Sequence, residues 1–112
     1  MHEVALARSI ERIATRAAAG RKVAVIELDV GELRQVVPGT LESCWRLVAE
    51  GTALQGSRLA IRRIPGVIEC ADCGERTTLS EFPIMRCGSC GGIDVSVESG
   101  EEFTLTALQL ED

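Results

Sequence analysis

Two cysteine pairs constrain the fold of this chain more than any other feature of its sequence. Cys70 and Cys73 form one Cys-x-x-Cys pair, Cys87 and Cys90 form the second, and residues 74–86 separate them. A glycine follows each pair and lets the backbone turn tightly around the sulfur atoms. Four thiolates at this spacing can surround one ion, and an all-sulfur tetrahedral set suits Zn²⁺ and leaves no position open for water or substrate. The spacing therefore predicts a structural zinc site.

Other uses of four cysteines are weaker explanations of this pattern. Two disulfides would suit a secreted chain, but the first 20 residues do not resemble a signal peptide. Four cysteines can also hold an iron–sulfur cluster or, as in a rubredoxin-like electron carrier, iron. A redox dithiol needs one pair and would leave the second unexplained. Zinc is favoured over these alternatives. Five cysteines, a metal-type spacing and no secretion signal favour the reducing cytoplasm.

The charge of the chain is unevenly distributed. Residues 1–64 contain ten Lys and Arg against seven Asp and Glu, whereas residues 65–112 contain two against ten, so the net charge of −5 arises in the cysteine-rich half. Zinc ribbons that grip nucleic acid need a basic face to neutralise phosphates. A nucleic-acid-binding zinc ribbon is therefore a second choice. No apolar run approaches the ~18 residues of a membrane span, so we expect a soluble chain.

The hydrophobic pattern predicts an α+β fold around the cysteine segment. Residues 3–19 have helical periodicity, with six apolar residues on the expected buried face: Val4, Leu6, Ile10, Ile13, Ala14 and Ala17. Pro38-Gly39-Thr40 predicts the start of a second helix that Gly51 closes, with Thr40 as a candidate N-cap. Residues 23–30, 57–64 and 103–110 predict three strands. We expect two helices packed on a three-stranded sheet, formed by residues 1–65 and 100–112. Residues 66–99 form an inserted zinc-ribbon-like domain.

The sequence contains no recognisable catalytic constellation. Cys44 falls on the apolar stripe of the second helix beside Trp45, which predicts a buried core residue and not a nucleophile. His2 is the one histidine, so no nucleophile–base pair can be assembled with it and the zinc cysteines. A glycine-rich phosphate loop is also missing, so any nucleotide hydrolysis belongs to a partner. We therefore expect a protein that is not an enzyme.

The first residues, Met1-His2-Glu3, offer a second kind of metal site. His2 supplies an imidazole next to the terminal amine, deprotonatable backbone amides and the carboxylate of Glu3. Nitrogen donors in fused chelate rings suit the planar geometry that Ni²⁺ and Cu²⁺ prefer. From chemistry alone, a histidine near a chain terminus is more often a simple terminal residue than a ligand.

Three features together resemble the HypA/HybF family of hydrogenase nickel-incorporation proteins. They are the Met1-His2-Glu3 start, Gly31-Glu32-Leu33 at the end of the first strand, and a four-cysteine segment before the last strand. The resemblance implies a cytoplasmic metallochaperone that delivers nickel to the large-subunit precursor of a [NiFe]-hydrogenase. It further implies action with the nickel-handling GTPase HypB and, in some members, a role in urease maturation.

The same resemblance implies which residues bind each metal. His2 corresponds to the nickel ligand of the family, with Glu3 as a supporting position, and Cys70, Cys73, Cys87 and Cys90 correspond to the zinc ligands. Zinc is then structural and nickel is transported cargo. The loop at residues 34–38 contains no carboxylate or imidazole, so a further nickel ligand there has no support.

Overall fold

The computed structural model describes residues 3–79 and 83–111, which form two helices, a short 3₁₀ turn and six strands. The predicted α+β class is confirmed, as are two helices and a three-stranded sheet. In this part of the chain, no helix is long and apolar enough to cross a membrane. In chain order the elements are α1 (Glu3–Ala18), β1 (Val23–Gly31), a 3₁₀ turn (Glu32–Arg34), α2 (Pro38–Ala49), β2 (Arg58–Ile64), β3 (Val67–Cys70), β4 (Arg76–Thr78), β5 (Val95–Ser99) and β6 (Phe103–Leu110).

The larger core lies where the two helices meet the first sheet, whose strand order is β2-β1-β6. α1 packs against α2 and against β6. β1 is buried along most of its length because it is the central strand. The largest fully buried side chains in this region are Trp45, Ile10, Ile26, Leu28, Leu41 and Leu54.

The buried face of α1 differs from the predicted one. Leu6, Ile10 and Ala14 are buried as expected, but Ala7 and Ala18 are buried as well. Val4 and Ile13 are 48% and 53% exposed, and Ala17 is also exposed, so these three assignments are wrong. The buried stripe is centred on small alanines, which let α1 approach its neighbours closely, and it leaves the larger flanking residues at the edge.

The N-cap residue of α2 differs from the predicted one, Thr40. The helix begins at Pro38, and Val37 is the N-cap residue, so Thr40 lies inside the first turn and does not cap the helix. Proline fits the first helical position because its ring fixes φ and its missing N–H would have had no intrahelical partner there. The helix ends at Ala49, close to Gly51, whose φ is +78°.

A second sheet forms within the inserted segment, with strand order β4-β3-β5 and both pairings antiparallel. β3 pairs with β4 from Val67↔Thr78 to Glu69↔Arg76 and with β5 from Ile68↔Val97 to Cys70↔Val95. The β3–β5 register shifts between Val67 and Ile68, which marks a bulge at the start of the ladder. The first cysteine pair therefore begins at the end of the central strand.

The chain divides into two compact units. The helical unit contains residues 3–29, 36–62 and 103–111 of the described chain, and the cysteine unit contains residues 30–35, 63–79 and 83–102. Residues 30–35 belong to the cysteine unit because Gly31 and Leu33 donate backbone hydrogen bonds to the carbonyls of Glu102 and Gly100. A Cβ at Gly31 would overlap the Gly100 backbone, so this close approach requires glycine. The predicted boundaries of two domains at residues 65–66 and 99–100 stay a prediction.

Candidate metal centre

Both cysteine pairs lie in turns with the same backbone hydrogen bonds. We call residues 70–74 the first knuckle and residues 87–91 the second knuckle. The amide of Gly74 donates to the Cys70 carbonyl at 2.8 Å, and the amide of Gly91 donates to the Cys87 carbonyl at 3.0 Å. These glycines have φ of +77° and +74°, a conformation that costs little without a side chain. The predicted role of the glycine after each pair is thus visible in the backbone.

Each knuckle is closed by a second hydrogen bond one residue further along. The amide of Cys70 donates to the carbonyl of Glu75, and the amide of Cys87 donates to the carbonyl of Gly92, both at 2.9 Å. In each knuckle the first cysteine is buried and the second is exposed. Cys70 and Cys87 are 2% and 3% exposed. The two turns are therefore equivalent halves of one site.

The turns bring all four sulfur atoms together. The four Sγ atoms lie within 4.8 Å of one another. The closest pairs join the two knuckles: Cys70 Sγ to Cys90 Sγ and Cys73 Sγ to Cys87 Sγ, each at 3.6 Å. A tetrahedral ion with sulfur ligands at about 2.3 Å requires sulfur–sulfur distances of about 3.8 Å. The separations therefore fit ligands around one ion and are far too long for disulfide bonds.

Backbone amides also point at the sulfur atoms. The amides of Ser89 and Cys90 donate to Cys87 Sγ at 3.4 and 3.5 Å, and the amide of Gly92 donates to Cys90 Sγ at 3.4 Å. Such bonds stabilise negative charge on sulfur, which a group of thiolates around a cation requires. The donor set fits a thiophilic ion on its chemistry as well as on its spacing.

Backbone amides also contribute to a difference in pKa between the thiols of Cys87 and Cys73. The amides of Cys90 and Ser89 lower the pKa of Cys87 to about 6. For Cys73, the backbone amide of Glu75 lowers the pKa, but the Cys87 sulfur and burial oppose it and raise the pKa to about 12. Cys87 therefore ionises more readily than Cys73. The reason is that two backbone N–H groups already solvate the negative charge on Cys87.

The surroundings of the sulfur atoms are acidic and crowded. A Cβ at Gly92 would lie 3.0 Å from Asp72 Oδ2 and 3.2 Å from Cys90 Sγ, so Gly92 passes close to both groups. Arg76 is one of two arginines in the acidic half of the chain, and its Nε contacts Glu98 at 2.8 Å and Glu69 at 3.9 Å. Its charge is thus partly neutralised by the sheet.

Cys44, the fifth cysteine, is not part of this group of sulfur atoms. It lies on α2 in the helical unit and is half-buried, so its placement among fully buried core residues is wrong. The stripe that it shares with Leu41 and Trp45 is buried at those two positions, and Cys44 lies at the edge of that stripe. It thus lines the core without being enclosed by it.

The predicted nickel position is described only in part. His2 lies outside the described residues, and its role as a ligand stays a prediction. Glu3 is the first residue of α1, and its Oε2 accepts a hydrogen bond from the Val37 amide at 3.3 Å. The Glu3 carboxylate therefore lies beside the residue that caps α2, within the helical unit. An acidic side chain in a first helical turn is also favoured by the helix dipole.

Comparison with a family model and with related proteins identifies the family of this chain. The family model described as "Hydrogenase/urease nickel incorporation, metallochaperone, hypA" matches residues 1–110. The chain belongs to this family. It is 37% identical over 115 residues to the hydrogenase maturation factor HypA of Geobacter metallireducens, covering 99% of this chain and 100% of that protein. It is 36% identical over 112 residues to the HypA of a Nostoc species, covering 100% and 97%. The family resemblance seen in the sequence is thereby confirmed.

The fold is also similar to solved structures of the family. The solution structure of the Ni metallochaperone HypA from Helicobacter pylori matches with a TM-score of 0.70 at 20% identity, covering 98% of this chain and 97% of that one. A second solution structure of a HypA protein matches with a TM-score of 0.61, also at 20% identity. At this identity the comparison supports the fold, and the site residues must be argued from this chain.

Sequence reasoning missed the groups that support the sulfur atoms. The hydroxyl of Thr77 on β4 accepts a hydrogen bond from the amide of Gly88 at 3.0 Å. The carboxylate of Asp72, a residue to which the sequence assigned no role, lies close to Gly92. The amide donors to sulfur are likewise set by backbone conformation. None of these contacts has a signature at fixed sequence spacing, because each depends on the paired turns.

Proposed function

We propose that this chain is a nickel metallochaperone that delivers Ni²⁺ for maturation of a [NiFe]-hydrogenase, with urease as a second client. The observation that carries the proposal is the match of the nickel-incorporation family to residues 1–110, which include both predicted metal-binding regions. We propose two sites with different chemistry. A closed sulfur site holds structural zinc, and an open site at the start of the chain carries nickel.

Zinc at the four cysteines is supported by the donor set and by the surroundings of the sulfur atoms. The four Sγ atoms lie within 4.8 Å of one another. With all four bound to one tetrahedral ion, no ligand position would remain for cargo exchange. Backbone amides at Cys87 Sγ and Cys90 Sγ favour the thiolate, which is the form of cysteine that binds zinc. Bound there, Zn²⁺ would link the two knuckles and add the stabilisation that a small segment needs.

Nickel at the start of the chain is supported by the ligands that His2 and its neighbours offer. Imidazole and backbone nitrogens form the planar set that Ni²⁺ prefers, and thiolates are absent from residues 1–43. The helix that begins at Glu3 places partial positive charge near that position, which opposes a bound cation. The carboxylate of Glu3, which lies beside the Val37 amide, offsets this effect and supports the site.

The remaining family features complete the proposal. We infer that the chain works in the cytoplasm with the GTPase HypB and with the hydrogenase large-subunit precursor, and that it performs no catalysis itself. Nucleotide hydrolysis would then belong to HypB, since the sequence has no glycine-rich phosphate loop. Acidic charge in the cysteine-rich half, with Arg76 engaged by Glu98, argues against a nucleic-acid target.

The central test is nickel titration by calorimetry on wild type and His2→Ala, with zinc assayed in parallel. We expect His2→Ala to abolish tight nickel binding and to leave zinc content unchanged, since the sulfur ligands lie elsewhere. Nickel binding by the wild type should weaken as pH falls through about 6.5, because protons compete for the imidazole. Equal nickel affinity in the two proteins would contradict the assignment.

Glu3 requires its own comparison because its predicted role is secondary. Glu3→Gln should weaken nickel binding less than His2→Ala does, whereas Glu11→Gln removes a carboxylate from the same helix and should have no effect. An acetyl group on the terminus distinguishes the donors further. It should weaken binding if the terminal amine is a ligand and leave it unchanged if internal amides suffice.

The sulfur site has an independent test that separates zinc from iron. Elemental analysis of the purified protein should give one zinc per chain and no iron. A rubredoxin-like iron centre would instead give a coloured protein with strong visible absorbance. A salt-dependent shift of nucleic acid in gels would support the nucleic-acid-binding alternative.

A further inference from the structure

The two knuckles are held to the rest of the cysteine unit in different ways. Ala71 and Gly88 are equivalent positions, because each directly follows the first cysteine of its knuckle. The amide of Ala71 donates to the backbone carbonyl of Asp94 at 2.9 Å. The amide of Gly88 donates instead to a side chain, the hydroxyl of Thr77, at 3.0 Å. A side-chain acceptor thus takes the place that a backbone carbonyl has in the first knuckle.

The fit around Thr77 is close. A Cβ at Gly88 would lie 3.3 Å from Thr77 Cγ2 and 3.4 Å from Thr77 Oγ1, tighter than ordinary van der Waals contact. Thr77 is the middle residue of β4, half-buried between exposed neighbours. The antiparallel pairing with β3 fixes its position opposite Ile68, which is buried. The hydroxyl is therefore presented to the second knuckle by a paired strand.

The bond from Gly88 to Thr77 acts next to the sulfur atoms. The two residues after Gly88 are Ser89 and Cys90, whose amides donate to Cys87 Sγ at 3.4 and 3.5 Å. A rotation of the Gly88 peptide would change the direction of these amides, because the three residues share one tight turn. Thr77 therefore influences the charge environment of Cys87 through the backbone.

We propose that Thr77 is a positioning residue of the metal centre, which holds the second knuckle in the conformation that binds the ion. The proposal rests on the metal site proposed above and concerns how firmly that site holds zinc. The equivalent bond of the first knuckle joins two backbone groups, Ala71 N–H and the Asp94 carbonyl, so no side-chain substitution removes its donor or its acceptor. The second knuckle is the half of the site that opens first when zinc leaves.

The first experiment compares three variants of the full-length, zinc-loaded protein. Thr77→Val keeps the branched shape and strand preference but removes the acceptor, Thr77→Ser keeps the hydroxyl, and Thr78→Val makes the same change at the exposed neighbouring position. Zinc transfer to a chromogenic chelator should be about tenfold faster in Thr77→Val, a loss typical of groups that support metal ligands. Thr77→Ser and Thr78→Val should resemble the wild type. A Thr77→Val rate equal to the wild-type rate overturns the proposal.

A second readout separates positioning from a general loss of structure. Zinc-loaded proteins are treated with limiting N-ethylmaleimide, and the modified cysteines are mapped by mass spectrometry. In Thr77→Val, modification of Cys87 and Cys90 should increase relative to modification of Cys70 and Cys73. Equal increases at all four cysteines would mean that Thr77 merely stabilises the fold, and would overturn the proposal.

A measurement on the wild type keeps the proposal testable if Thr77→Val does not fold. Amide hydrogen exchange should show protection of the Gly88 N–H, and Thr77→Ser should retain that protection. Unprotected exchange at Gly88 in the zinc-loaded wild type would contradict the hydrogen bond. Failure of the proposed zinc site is distinguishable, because the wild type would then contain no zinc and no transfer rate could be measured.

Discussion

The helical unit and the cysteine unit bury very different amounts of apolar side chain. The helical unit encloses large residues from both helices and the first sheet, including Trp45, which is 1% exposed. In the described part of the cysteine unit, the buried apolar side chains are few: Val30, Ile68, Cys70, Leu79 and Cys87. Two of these are predicted metal ligands. Burial of apolar side chains drives folding of the helical unit. In the cysteine unit, sulfur atoms that can bind a metal occupy the interior in place of a larger apolar core.

This difference indicates where each unit obtains its stability. Residues 66–99 span about 34 residues, which is below the size at which a core alone usually suffices. The short strands of the second sheet can add little, since a small sheet needs a packed face to be stable alone. We therefore expect the metal to supply most of the folding free energy of the cysteine unit and almost none of that of the helical unit.

The largest effect should follow removal of the metal from the cysteine unit. Strong chelation or Cys73→Ala should unfold residues 66–99, because a structural zinc ion contributes on the order of 10 kcal/mol to such small sites. The helical unit should keep its dispersed NMR signals. Retention of dispersed signals from residues 66–99 without metal would contradict this account.

Cys44 provides a matched control of the same residue type. Cys44→Ala should cost about 1 kcal/mol through a small cavity at the edge of the core and should leave zinc bound. Loss of zinc or nickel stoichiometry in this variant would mean that Cys44 is a ligand.

The corresponding test of the helical unit removes a large side chain from its core. Trp45 is the largest fully buried side chain, and its indole N–H donates to Ser57 Oγ at 3.1 Å. Trp45→Ala should destabilise the helical unit by about 3–5 kcal/mol through the cavity and the lost hydrogen bond. Denaturant unfolding followed by NMR would measure this loss, with zinc assayed in the same samples.

Leu47 on the same helix is 73% exposed, and Leu47→Ala is therefore the control with little expected effect. Loss of zinc from Trp45→Ala under conditions where the helical unit remains folded would show that the two units are energetically coupled. Their stabilities would then have to be treated as one quantity.

The sequence predicted the elements whose patterns are long and local. α1 was expected at residues 3–19 and spans Glu3–Ala18, and β1 was expected at residues 23–30 and spans Val23–Gly31. The four cysteines were predicted as a group because both members of each pair lie in one turn. Fixed spacing encodes such features directly.

Features that depend on distant parts of the chain could not be read in the same way. β3, β4 and β5 have four, three and five residues, too few for a clear alternation, and they were not predicted individually. The exposure of Ile13 depends on how closely alanines let α1 approach its neighbours. The role of Thr77 at Gly88 requires the pairing of β4 with β3, which no local pattern specifies.

The smallest effect concerns an ion pair on the first sheet of the helical unit. Arg62 donates from Nε and from a terminal nitrogen to the two carboxylate oxygens of Asp29, at 2.9 and 2.7 Å. These hydrogen bonds lower the pKa of Asp29 and raise the pKa of Arg62. Because Arg62 is largely exposed, solvent screens the pair, and we expect only a small change in thermal stability when it is broken.

The pH dependence of this pair has a defined sign. A lowered pKa of Asp29 in the folded state means stabilisation that is present above the unfolded value of about 3.9 and lost as pH falls through the folded value. Arg62 stays protonated throughout this range and adds no slope. In an NMR titration, Arg62→Gln should return the Asp29 pKa towards its ordinary value, whereas Arg58→Gln on the same strand should not. Zinc content should be the same in all three proteins at neutral pH, because the pair lies in the unit whose stability comes from its core. An unchanged Asp29 pKa in Arg62→Gln would show that the two hydrogen bonds do not persist in solution.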